Sequence, residues 1–377
     1  MTTVVERETA NNSDRDVALA SQWQLIRWKF GRHKVAVVSL ALVALMYLGV
    51  ILAEFVAPYD PYYFDHEFTL APPQRVRMVD VEGNFHFRPF VYPLIKEVDP
   101  VTWGINYAID TSHRQPLHLF VRGQEYKMWG LFTADLHLFG LKNGEIFSPM
   151  GKDSLGRDVF SRLIYGSRIS LTVGFVGIAI AFFPSLLIGG LAGLLGGAVD
   201  KILMRVTETF MAIPTLPLWI ALAAALPVKL SILQRYVMIT VILALVGVVT
   251  GGSREVRGKF MALKHEDFIR AARLDNVGSV KLVFSYLLPS FLSHTIAGLT
   301  LAIPGMILGE TAMSFIGLGL QPPAISWGVM LQECRHLRNL INAPWLFIPA
   351  FFVVVAILAF NFIGDGLRDA ADPYAKV

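Results

Sequence analysis

Glu310 stands inside a long apolar run, Phe291–Leu320, where an ionised carboxylate is expensive unless it faces a bundle interior or a water-filled cavity. Two readings follow: Glu310 lines or gates a pathway, or it makes a structural hydrogen bond to a neighbouring helix. Glu208, one turn into another apolar run, is placed to snorkel to an interface. Met204, Met211, Met306 and Met313 supply adaptable apolar surface. Other chemistry is thinly represented. No G-x-x-x-x-G-K-[ST] phosphate cradle occurs, and Gly252–Lys259 has the wrong spacing and runs into Phe260, so this polypeptide is not its own ATPase. His113 and His118 are scattered, and His265-Glu266 lacks the second histidine of a zinc helix. No G-x-S-x-G supports a serine nucleophile. The single cysteine, Cys334, excludes a disulfide framework and a zinc cluster. The expectation is no catalytic residue, no metal and no cofactor on this chain.

A second stretch carries mechanical rather than catalytic potential. Lys264–Ser290 reads as a short amphipathic helix, a turn and another helix, lying between two apolar segments. Glu266 and Asp267 fall in a first turn, where acids suit the helix dipole. Phe268, Ala271, Ala272 and Leu274 follow at near-helical spacing and predict one narrow apolar face with two small residues in it. Gly278 allows a bend, and Pro289 limits the run of the next helix. Such a segment either docks onto a partner or lies on lipid.

These elements must be positioned by a membrane bundle. The chain is 54% hydrophobic and 16% charged, with a mean hydropathy of +0.53, against about a quarter charged in soluble domains. The pattern predicts an all-α integral membrane protein with six transmembrane helices: Val35–Ala57, Ser170–Leu195, Val206–Leu226, Tyr236–Gly251, Phe291–Leu320 and Trp345–Ile363. Arg27, Lys29, Arg32 and Lys34 before the first span put the N-terminus in the cytoplasm. Lys201, Arg205, Arg254, Arg257 and Lys259 fall on the same side in a six-span count, which leaves the C-terminus there too. Trp23 and Trp28 suit an interfacial helix. The expected organisation is a cytoplasmic segment (1–34), a first span (35–57), an outer, partly β insertion (58–168), a five-helix core (169–364) containing the cytoplasmic loop 252–290, and a tail (365–377). Phe85, Phe87, Trp103 and Trp129 are the expected core of the outer domain. No inverted repeat marks a secondary transporter.

Lys264–Ser290 resembles the cytoplasmic "EAA" loop of the membrane subunits of bacterial ABC importers. The family pattern of Glu-Ala-Ala, three residues and Gly, with Leu-Pro further on, corresponds here to Arg270-Ala271-Ala272, Asn276 and Leu288-Pro289. Arg replaces the usual Glu, and Asn the usual Gly. Asn is the next-best residue for a left-handed backbone. Four further stretches are similar to the C-type permease subunit of dipeptide and oligopeptide importers. They are Gly151–Leu171, Glu310–Leu331 with its Phe-x-Gly-x-Gly turn and Pro-Pro pair, Phe360–Pro373, and the flanks of the first span, Phe30–Lys34 and Ala57–Pro61. The insertion between Tyr62 and Met150 departs from shorter members and resembles Yej-type peptide permeases.

The resemblance implies a bacterial inner-membrane permease for peptides or peptide-like solutes. Its implied partners are a homologous B-type permease subunit in a heterodimer, two ABC ATPase subunits that carry ATP and Mg, a periplasmic substrate-binding protein and membrane lipid, without nucleic acid. Glu266, Asp267, Phe268, Arg270, Ala271, Ala272, Leu274, Asn276, Gly278 and Pro289 would form the ATPase-docking loop. Glu310, Ser314, Phe315, Met211 and Pro214 are the candidate pathway or gate residues. Related permeases carry oligosaccharides, opines or nickel chelates, and a secondary transporter working without an ATPase is the alternative of another class.

Overall fold

The computed structural model describes residues 21–98, 100–101, 104–142, 145–227, 229–290 and 292–371. Trp103, the first twenty residues and the tail from 372 lie outside these. Helix α1 (Gln22–Arg32) starts at Ser21, whose side chain and Gln24 form a reciprocal capping box. Helix α2 (Lys34–Ile51) follows at once, and the short α3 (Ala53–Val56) ends the first apolar segment.

Seven strands come next: β1 (Arg77–Val79), β2 (Phe85–Val91), β3 (Leu94–Val98), β4 (Ile105–Ile109), β5 (Gln115–Pro116), β6 (His118–Met128) and β7 (Phe132–Gly140). They form three small sheets, ordered β1-β2-β5, β3-β4 and β6-β7, with antiparallel pairing throughout. Sheets this narrow bury little on either face. The core of this region is Val91, Leu141 and Phe147, with Leu117 and Phe139 against it. Phe85 and Phe87, expected inside, stand on the surface as an edge-to-face pair. Both occupy the outward alternation of β2, while Phe90 and Val91 turn inward where β5 pairs. Trp129 is likewise exposed, at a hairpin tip.

The helical part is longer and more bent than the apolar runs imply. Helix α4 (Val159–Leu195) is a single element of 37 residues, so it begins eleven residues before the expected start of the second span at Ser170. Asp158 starts it by accepting 2.7 Å hydrogen bonds from the Ser161 N–H and hydroxyl. Pro184 lies within it without ending it. Helices α5 (Gly197–Met211) and α6 (Thr215–Ala224) meet at 86°, so the expected third span is broken at Ala212–Pro214. Pro214, which has no N–H to donate, occupies the N-cap of α6. Helix α7 (Ile232–Gly247) passes through a wide π-turn, Val248–Gly252, into α8 (Ser253–Leu263). Helix α9 (Asp267–Leu274) is followed by a turn, a helical segment at Ser279–Leu282 and a second π-turn at Val283–Leu287. Helix α10 (Leu292–Ile316) ends at Gly317, whose φ of +90° makes the reversal of the Phe-x-Gly-x-Gly turn. Helix α11 (Trp327–Leu331), a short helical turn at Leu337–Asn342 and helix α12 (Ile348–Ala371) end the described residues, and α12 extends well past the expected end at Ile363.

Among the described residues, four helices are long and apolar enough to cross a membrane: Lys34–Ile51, Val159–Leu195, Thr295–Ile316 and Pro344–Ala371. The bent α5–α6 pair makes a fifth if taken as one span. Ile232–Gly247 is apolar but shorter. The protein is a mostly helical integral membrane protein. Its main core joins α2, α4, α7, α10, α11 and α12 through residues such as Leu171, Leu243, Ile307, Met313, Trp327 and Phe360.

Candidate functional site

Two assemblies stand out, one around Glu310 and one around the loop 252–290. Glu310 has no exposed surface. Its Oε1 accepts hydrogen bonds of 2.8 Å from Ser314 and of 2.8 Å from Ser326, and its Oε2 faces Ser170 at 3.4 Å. The same serines hold backbone: Ser170 accepts from the Trp327 N–H at 3.0 Å, Ser314 from the Leu320 N–H at 3.0 Å, and Ser326 from the Val329 N–H at 3.1 Å. One carboxylate thus ties α4, α10 and the turn that starts α11. A buried polar group is tolerable only when so satisfied. Ser314 is as buried as Glu310, whereas Phe315, Met211 and Pro214 are exposed. The five candidates therefore divide into an inner pair and an outer three.

The loop is built on α8. Gly193 of α4 lets α8 approach so closely that a Cβ there would lie 2.7 Å from Phe260 Cβ. This small-residue contact went unnoticed in the sequence, although Gly189-x-x-x-Gly193 has the spacing of membrane helix contacts. Arg257 of α8 forms a two-pronged ion pair with Asp200 of α5, with Nη2 2.6 Å from Oδ2. Arg254, one turn earlier, approaches Met211 Sδ at 3.2 Å, beside the α5–α6 bend. A cavity of about 290 Å³ lies between α4, α8 and α10, with Ser185, Glu255, Lys259 and Thr295 in its otherwise apolar wall.

Helix α9 caps this platform. The face expected to be single is divided. Ala272, with Ile269, packs inward against Leu194, Phe260 and Leu282. Phe268, Ala271 and Leu274 point outward, Leu274 with 88% of its surface exposed. Residues 268 and 271 lie one turn apart, and a helix rotates Ala272 about 100° away from Ala271. Glu266 is the N-cap of α9 by backbone alone, and Asp267 and Arg270 are exposed, 4.0 Å apart. Arg273 reaches the Leu194 carbonyl at 3.4 Å.

The turn after α9 is a Schellman cap. The Val277 N–H bonds the Ala272 carbonyl at 3.1 Å and the Asn276 N–H bonds the Arg273 carbonyl at 3.0 Å. Asn276 takes φ +59°, the left-handed conformation read for it from its residue type. Gly278 is exposed with no neighbour where a side chain would stand. Pro289 follows the π-turn, in which the Leu288 N–H reaches back to the Val283 carbonyl. Without an N–H, Pro289 cannot make the α-bond to Ser285 that a regular helix would have at this point.

A buried ion network closes the opposite end. Arg157 Nε lies 2.6 Å from Asp153 and its Nη2 3.1 Å from Glu333, while Arg162 Nε is 3.4 Å from Asp153. Glu333 also accepts the Ser154 N–H at 2.9 Å. Arg157 lies within the stretch Gly151–Leu171 that the sequence singles out, but nothing in the sequence marks Glu333, far down the chain, as its partner. Burial pushes the Asp158 carboxyl up to about 6, against hydrogen bonds from Ser161 that favour its ionised form.

Residues 185–377 match the family described as binding-protein-dependent transport system inner membrane component. Residues 21–73 match the N-terminal TM domain of oligopeptide transport permease C. The dipeptide transport system permease protein DppC of Bacillus subtilis is 39% identical over 225 residues, covering 59% of this chain and 68% of that protein. A putative peptide permease protein of Brucella ovis is 36% identical over 255 residues, covering 67% and 82%. The glutathione transport system permease protein GsiD of Pectobacterium atrosepticum is 36% identical over 228 residues, covering 60% and 73%. An inward-facing MetNI methionine ABC transporter structure is a looser likeness, with a TM-score of 0.44 and 18% identity over 56% of this chain and 97% of that one. With a family model over its C-terminal half and a permease C model over its first span, this chain belongs to the binding-protein-dependent transport system inner membrane components, in the oligopeptide and dipeptide permease C branch.

Proposed function

We propose that this chain is the C-type permease subunit of an ATP-driven importer in a bacterial inner membrane, and that with a homologous B-type subunit it forms the pathway for peptides or peptide-like solutes. Two ATPase subunits carry ATP and Mg, and a periplasmic binding protein delivers the solute. The peptide assignment rests on the relatives, which are named for dipeptides, oligopeptides and glutathione. Six crossings are proposed, by α2, α4, the bent α5–α6 pair, α7, α10 and α12, with both termini cytoplasmic and the β-rich insertion outside.

The observation that carries the mechanism is the position of α8. It touches α4 at Gly193, α5 through Arg257–Asp200 and the α5–α6 bend through Arg254–Met211, and it leads directly into the loop. The exposed Phe268, Ala271 and Leu274 offer an apolar docking patch on one side of α9, while Ile269 and Ala272 fasten the other side to the bundle. ATPase closure against the patch would then be transmitted through α8 to the bend. Such coupling requires the docking contact to differ in free energy between the inward and outward states. Phe315, Met211 and Pro214 face the pathway in this reading, and Glu310 with Ser314 braces it from behind.

The test is co-purification from the native membrane, with ATPase activity and uptake compared for the parent and Ala271→Asp. The expected result is recovery of a second permease and two ATPases, and loss of substrate-stimulated hydrolysis in the variant. Solute movement by the chain alone in vesicles lacking ATP would overturn the assignment in favour of a secondary transporter.

A further inference from the structure

The β6–β7 hairpin ends in Trp129-Gly130-Leu131-Phe132, an apolar tip turned outward. Leu131 is 79% exposed and Phe132 54%. Trp129 has φ +49°, a left-handed conformation in which a bulky residue is strained, and Gly130 follows at +73°. The strained turn fixes where the indole goes. Its N–H donates a 2.7 Å hydrogen bond to the carbonyl of Ile51, the last residue of the span α2. The tip is thereby tied to the level at which the chain leaves the hydrocarbon.

Beneath the indole runs an open, almost wholly apolar groove of about 610 Å³, walled by Val50, Ile51, Ile169, Leu233 and Tyr236. Arg168 also borders it, but its guanidinium is held by both oxygens of Glu54, at 2.9 and 2.5 Å. Leu45, Leu48 and Ile51 form an exposed row on α2 that runs into the groove. On a membrane span such an exposed apolar row suits acyl chains, and the groove continues it. The tip has the composition that bilayer boundaries favour, an indole with one polar contact beside apolar side chains. Exposed Lys127, at the neck of the tip, complements a phosphate.

We propose that the hairpin tip is dipped into the bilayer and that a phospholipid of the same leaflet lies with an acyl chain in the groove, under Trp129. The insertion is then anchored at both ends: by its covalent junctions to the spans and by its own tip in lipid.

The test places nitroxide labels on the full chain, in the complex and reconstituted in phosphatidylcholine and phosphatidylglycerol vesicles, at Leu131→Cys, Leu233→Cys and Phe87→Cys. The native Cys334 is buried, so labelling is selective, and the three positions are exposed. Accessibility to oxygen relative to a water-soluble nickel chelate should be at least several-fold higher at 131 and 233 than at 87. Equal ratios at 131 and 87 would put the tip in water and overturn the proposal. Exclusion of both reagents from 131 and 233 would also overturn it, since a protein partner would then occupy the groove.

Discussion

Ser326 donates a 2.8 Å hydrogen bond to Glu310, a carboxylate without any exposed surface, and through that bond the start of α11 is fastened to the C-terminal third of α10. Ser314 and Ser170 point at the same carboxylate. Removing it strands hydroxyls in an apolar interior, at about 1–3 kcal/mol for each group left unsatisfied. Glu310→Ala is therefore expected to lower the thermal midpoint in detergent by well over the shift seen for Glu310→Gln, which keeps an acceptor for Ser326. An alanine variant that unfolds with the parent yet has lost uptake would make Glu310 a pathway residue instead.

Adjacent alanines should behave differently. Ala271→Asp puts a charge on the exposed side of α9, so the protein should assemble with normal stability and lose coupled ATP hydrolysis. Ala272→Asp buries that charge against Phe260 and Leu282, and an unpaired buried charge costs several kcal/mol. Its yield and thermal midpoint should drop in detergent, before any ATPase is added. Equal stability of the two variants would contradict the division of the α9 faces.

Asn276 supplies a backbone test. Its φ of +59° suits Gly as well as Asn. Asn276→Gly should leave stability within about 0.5 kcal/mol, whereas Asn276→Val should lose about 1–2 kcal/mol through left-handed strain. Limited proteolysis across Arg273–Lys281 is the sensitive readout, with faster cleavage expected only in the valine variant.

The Asp158 carboxyl, raised by burial from its ordinary range to about 6, predicts a pH dependence of defined sign. The folded chain holds this proton more tightly than the unfolded chain. Its contribution is fully present below about pH 4 and is lost as pH rises through 6. Asp158→Asn retains an acceptor for the Ser161 N–H and cannot titrate. The difference in thermal midpoint between variant and parent should widen in the variant's favour from pH 4 to pH 6 and then level off. A constant difference across that range would exclude Asp158 as the source.

Much of this was legible in residue types and spacing. The first, second, fifth and sixth apolar runs located helices long enough to cross a membrane, and Asn276 revealed its left-handed turn because few other residues accept one. Ala271 and Ala272 were not separable, since neighbouring alanines in a short helix give no pattern that tells the outward one from the inward one. Glu310 was singled out by its cost, but Ser170 and Ser326 lie at remote chain positions and carry no mark of the pairing. Phe85 and Phe87 misled because aromatic residues are core material only where a sheet is wide enough to cover them. The bend at Ala212–Pro214 was hidden because an apolar run reads alike whether its helix is straight or broken.

The two π-turns, Val248–Gly252 and Val283–Leu287, flank α8 and α9 on the way in and on the way out. Each accommodates one residue more per turn than an α-helix, a phase advance of about 100° for everything beyond it. Such a turn relaxes or moves along a helix by trading one backbone hydrogen bond for its neighbour. Under the proposed coupling, the loop would be mounted between two swivels rather than cantilevered from rigid rods. Torque applied at α9 can be taken up as rotation about the helix axes, with the ends of α7 and α10 keeping their level in the bilayer.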